Sequence, residues 1–74
     1  MPDAAIRRAY WCDLFAKLYS AREGCSQGHA RVVAQMLYPS MRLLTPTQAL
    51  LMLCADPALT DAIRDEARRA NGEP

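Results

Sequence analysis

Apolar and polar positions fall along this chain in four stretches of helical period, separated by short segments of glycine, proline and small polar residues. Over residues 4–23 the apolar positions, projected at ~100° per residue, cover roughly two-thirds of the circumference. Trp11, Phe15 and Leu18 lie at the centre of that arc. Tyr10, Leu14 and Ala21 flank it on one side, and Cys12, Ala16 and Tyr19 on the other. Asp13, Lys17 and Ser20 form the narrow polar stripe. A helix with one buried face needs only about 100° of apolar surface, so this one is expected to meet more than one neighbour. Asp3 is placed to cap it and Gly24 to stop it.

Gly24-Cys25-Ser26-Gln27-Gly28 reads as a connecting loop. A second helix is expected over 29–38, with Val33, Met36 and Leu37 on one face. Pro39 then removes a backbone donor and disfavours helix at Tyr38, which predicts a kink or break there. Residues 40–44 are open to a further helical turn. A third helix is expected over 46–55, where Thr45 can cap, Pro46 suits the first helical position and Gln48 completes a capping box. Its segment Ala49-Leu50-Leu51-Met52-Leu53-Cys54 has no polar face, which predicts burial on all sides. Asp56-Pro57 repeats the cap-then-proline signal and opens a last helix, 57–70, ended by Asn71-Gly72. That helix carries a narrow stripe of Leu59, Ala62, Ile63, Ala67 and Ala70. Its outer face runs Asp61, Arg64, Asp65, Arg68, Arg69; acids before bases suit the helix dipole, and Asp65 can pair with Arg68 or Arg69.

The fold class expected is therefore all-α. It is a single domain over 1–74, a compact bundle of about four helices, the first longest and the third buried. Between Gly24 and Ala55 no residue is acidic, and only Arg31 and Arg42 are basic. On that map the middle of the chain is the core and the two end helices wrap it.

Composition adds a reason to look for a partner. A domain of 74 residues hides only about 60% of the surface its unfolded chain exposes. Hydrophobic residues make up 51%, which is generous for so small an interior. The net charge of +1 argues against nucleic acid, whose binders usually show a strongly basic face. The longest apolar run, residues 49–55, is far short of the ~18 that suggest a membrane span. The first residues lack the apolar core of a signal peptide, and the three cysteines are odd in number and far apart. Reduced thiols in a cytoplasmic setting are the expectation.

Three groupings invite chemistry, and each has an ordinary structural reading. Residues 24–28 match G-x-S-x-G, but the nucleophile elbow needs a buried strand and a sheet that this chain cannot build. Ser26 capping the second helix is the expected role. Cys12, Cys25, Cys54 and His29 make up a zinc inventory without zinc spacing: Cys12 lies about 18 Å along the first helix from Gly24. No metal and no cofactor are expected. Cys25 with His29 could form a reactive thiol pair, yet nothing supplies an orienting acid, and a solvent-exposed bystander pair is expected. No catalytic residue is assigned.

Residues 45–70 also allow a helix-turn-helix reading with the last helix as recognition helix, although Asp61, Asp65 and Glu66 would then face phosphates. Aromatic, Met and Arg side chains are enriched at protein interfaces. Tyr10, Tyr19, Tyr38, Met41 and Arg42 are accordingly the candidate interface residues. The function expected is a small non-enzymatic protein–protein interaction factor. It would be an accessory or inhibitory protein of the phage or mobile-element type, binding a host protein and forming a homodimer. The alternative is a small helix-turn-helix DNA-binding regulator.

Overall fold

The computed structural model describes the backbone of residues 2–72 and the side chains of residues 7–72. Four helices follow one another: α1 (Pro2–Glu23), α2 (Gln27–Met41), α3 (Pro46–Cys54) and α4 (Pro57–Ala70). No strand occurs among the described residues. α1, at 22 residues, is the longest. It starts at Pro2, so Asp3 falls inside its first turn and not at the cap. Gly24 stops it as expected: at φ 69° it takes the left-handed conformation, and its N–H reaches Ser20 O at 2.8 Å.

The other helix starts follow the local chemistry. Ser26 Oγ accepts from His29 N at 3.1 Å, so α2 begins at Gln27, two residues earlier than its apolar period suggests. Thr45 and Gln48 form a complete capping box at the start of α3, and Asp56 Oδ1 accepts from Leu59 N at the start of α4. Pro39 does not break α2, which continues to Met41. Only three residues of helix remain from Pro39 onward, so the missing donor is a small loss at the very end of the element.

α1 is the spine, packed against both α2 and α3, while α4 closes against α2 and α3. α1 and α2 run antiparallel: Arg31 Nη2 reaches Asp13 Oδ1 at 2.9 Å, and Gln27 Nε2 reaches Ser20 Oγ at 2.7 Å. Trp11 Nε1 donates to Leu44 O at 2.8 Å and ties the α2–α3 connection to α1. The core joins Trp11, Phe15 and Tyr19 of α1 to Val33 and Leu37 of α2, Leu50 and Leu53 of α3, and Ala67 of α4. Phe15 and Tyr19 are among the largest fully buried side chains, so the core is built on α1 and not on the middle of the chain alone.

Two burial expectations are corrected. α3 is buried on one side only: Ala49, Leu50 and Leu53 are inside, while Leu51 is 60% and Met52 56% exposed. α3 packs against α1 and α4, and the side that bears Leu51 and Met52 is left uncovered among the described residues. On α4 the buried positions are Thr60 and Ala67, with Leu59 and Ile63 half-buried and Ala62 and Ala70 in water. Thr60 enters the core because its one hydroxyl proton is shared between two backbone carbonyls, Leu53 O at 2.6 Å and Asp56 O at 2.9 Å. Thr60→Val keeps the shape and removes both bonds. It should cost about 1 kcal/mol and lower Tm by roughly 4–8 °C in a calorimetric melt; an unchanged Tm would deny these bonds any net role.

Candidate functional site

The five side chains expected at an interface do not share one surface. Tyr10, on the outer flank of α1, is 71% exposed. Arg42 is exposed at the C-cap of α2. Tyr38 is half-buried: its ring meets Trp11 edge-on at 5.4 Å, and the Arg8 guanidinium lies 5.7 Å from its centroid. Met41 is half-buried against the core. Tyr19 is only 1% exposed and is a core residue. α2 packs on the Cys12–Ala16–Tyr19 flank of α1, which turns that flank inward and leaves the Tyr10 flank in water.

Three exposed apolar side chains were not anticipated. Leu43, in the α2–α3 connection, is 93% exposed, and Leu51 and Met52 stand out from α3. Their signal was present as an absence, because no residue from Leu43 to Ala55 is charged. With Tyr10 they are the large apolar side chains left exposed among the described residues. Burying one such side chain fully is worth about 1.5–3 kcal/mol, so their exposure leaves a substantial driving force unused in the single chain.

A polar cleft of about 490 Å³ opens where α1 passes into α2, with the last turns of α4 as its far wall. Tyr19 and Glu23 line it from α1, Cys25 and Ser26 from the connection, His29 from α2, and Arg64 and Arg68 from α4. Arg64 sits 3.6 Å from Glu23 Oε2 and 3.3 Å from Asp61 Oδ1. The expected pairing of Asp65 with Arg68 or Arg69 does not occur among the described residues, and the ion pair within α4 is Arg64 with Asp61. His29 is 4% exposed, so the Cys25–His29 pair is not a solvent-exposed one. Ser26 serves as the α2 cap, the role expected for the serine of the G-x-S-x-G match. The three cysteines and His29 do not converge: among the described residues no three Cys, His, Asp or Glu side chains are placed to hold a metal ion. The cysteines form no disulfide.

Two buried acids titrate late. Burial pushes the Tyr19 hydroxyl above its ordinary 10.0; Glu23 adds to this, and Arg64, which hydrogen-bonds the phenol, opposes it. Burial likewise raises the Cys12 thiol above 9.0, against the pull of Arg8 and Arg31. In both cases the unfolded chain releases the proton first. Their contribution to stability is therefore complete below about pH 9 and is lost as pH rises through the folded-state values. Tm should be level from about pH 7 to 8.5 and fall above about pH 9. A Tm that stays constant to about pH 11 would contradict the burial of both groups.

No helix of the described residues is long and apolar enough to cross a membrane. No family model, no curated protein and no solved structure matches the chain.

Proposed function

We propose that the chain is a small non-enzymatic interaction factor that works by binding another protein in a reduced, cytoplasmic setting, as an accessory or inhibitory protein, and that it self-associates. The observation that supports this reading is the exposure of large apolar side chains: Leu43, Leu51 and Met52 on and before α3, in a segment without charged residues, and Tyr10 on α1. Single exposed apolar residues are ordinary. Here Leu51 and Met52 are adjacent on a helix with no charged residue of its own, and that helix has only one side committed to the core. An aromatic or aliphatic surface without charges is what the centre of an interface requires.

Duplex DNA is a poorer fit for the same chain. α3 and α4 are joined tightly at Ala55-Asp56, but the outer face of α4 mixes Asp61, Asp65 and Glu66 with its arginines, and these carboxylates would repel a phosphate backbone laid along that face. Phosphate neutralisation would be weak.

The test is a light-scattering mass at high concentration, combined with photo-crosslinkers placed at positions 10, 43 and 51 in native cells. The wild type should exceed the mass of one chain or give one dominant adduct. Leu51→Asp with Met52→Asp should abolish either result while leaving the melt within a few degrees. A monomeric wild type with no adduct at any of the three positions rejects the reading.

A further inference from the structure

We infer that the cleft between α1, α2 and α4 is a binding site for a phosphomonoester, with Arg68 and Arg64 gripping the phosphoryl oxygens and the Tyr19 hydroxyl donating from the floor. Three observations converge on it, and none involves the apolar surface of α3.

The first is the state of the arginines. Arg64 and Arg68 are four residues apart on α4, so both guanidiniums reach the cleft from one helix face. Arg68 makes no ion pair among the described residues. Arg64 has two carboxylate neighbours, at 3.6 and 3.3 Å, both longer than the 2.7–2.9 Å of a strong charge-assisted hydrogen bond. The pair thus retains donors, and with Glu23 as the one carboxylate lining the cleft, its charge is net positive.

The second is Tyr19. Its side chain is 99% buried (1% exposed) yet lines the cleft. The hydrogen-bond neighbour of its hydroxyl is Arg64, and a guanidinium is donor-only. A hydroxyl that accepts from Arg64 still carries its own proton, which an oxyanion entering the cleft can accept.

The third is size. About 490 Å³ falls within the ~300–1,000 Å³ of small-ligand sites and exceeds what a bare phosphate fills. The remaining room, beside His29 and Ser26, suits the organic group of an ester. Glu23 then acts as a built-in competitor, since an incoming phosphoryl group must displace it from Arg64.

The experiment is a titration of the isotopically labelled full chain with phenyl phosphate, inorganic phosphate, acetate and sodium chloride at matched ionic strength. The amide resonances of Gly24 and Gly28, at the rim, report binding. Phenyl phosphate should give saturable shifts and inorganic phosphate weaker ones. Arg68→Gln should weaken binding by about tenfold, and Tyr19→Phe, which keeps the ring in the core, by several-fold. Glu23→Gln should tighten it. Shifts that sodium chloride reproduces, acetate binding equal to that of the phosphates, or Arg68→Gln and Tyr19→Phe titrating like the wild type would each overturn the assignment.

Discussion

Phe15→Ala should leave most of the chain unfolded at room temperature. Phe15 is fully buried and stacks between Trp11, at 5.3 Å and 4°, and Tyr19, at 5.8 Å and 17°. The three rings stand at i, i+4 and i+8 on one face of α1, so removing the middle one opens a cavity that neither neighbour can fill without leaving its own contacts. Phe→Ala in a core costs about 3–5 kcal/mol. A core in a domain of this size rarely supplies more than about 3–5 kcal/mol in total. Loss and margin are thus equal in size, and the folded fraction collapses. Urea unfolding followed by helical circular dichroism tests this: the variant should show little or no folded baseline, and a cooperative transition close to that of the wild type would refute the aromatic ladder as the centre of stability.

Tyr19→Asp should unfold the domain, while Tyr10→Asp should change stability by less than about 0.5 kcal/mol. Both replace a tyrosine of α1 with the same charge, yet one site is 1% and the other 71% exposed. At position 19 the carboxylate would lose its hydration among Phe15 and His29, one turn from Glu23, and the neighbouring Arg64 already has Glu23 and Asp61 beside it. A buried charge without full pairing costs several kcal/mol. Paired thermal melts decide the matter. If the two variants melt alike, the rotation of α1 about its axis has been assigned wrongly.

That rotation shows how far sequence reasoning reached. The apolar arc of α1 was legible, but its width left two flanks equally eligible for burial. The choice between Tyr10 and Tyr19 depends on where α2 lies, and no property of the α1 sequence encodes that. The same limit applies to α3. Residues 49–54 look identical on every side, and only the number of neighbouring helices determines that Leu51 and Met52 face water. Thr60 was missed for a different reason: a threonine reads as polar until a carbonyl such as Leu53 O is within reach.

The polar cleft was the least legible feature. Its residues come from positions 19 to 29 and 64 to 68, and the sequence treats the α4 arginines as part of a solvated face. Ser26 of the G-x-S-x-G match caps α2, as expected from the loop, and the cleft beside it is assembled only when α4 packs there.

What the sequence by itself determined is local. Helix starts at Ser26, Thr45 and Asp56, the stop at Gly24 and the all-helical class follow from short-range steric and hydrogen-bond rules that act within four residues. What only the tertiary structure decided is which faces those helices turn inward, and hence which side chains remain for a partner or a ligand. Burial depends on contacts between segments far apart in the chain, and an apolar period wider than one face is satisfied by several packings until all four helices are in place.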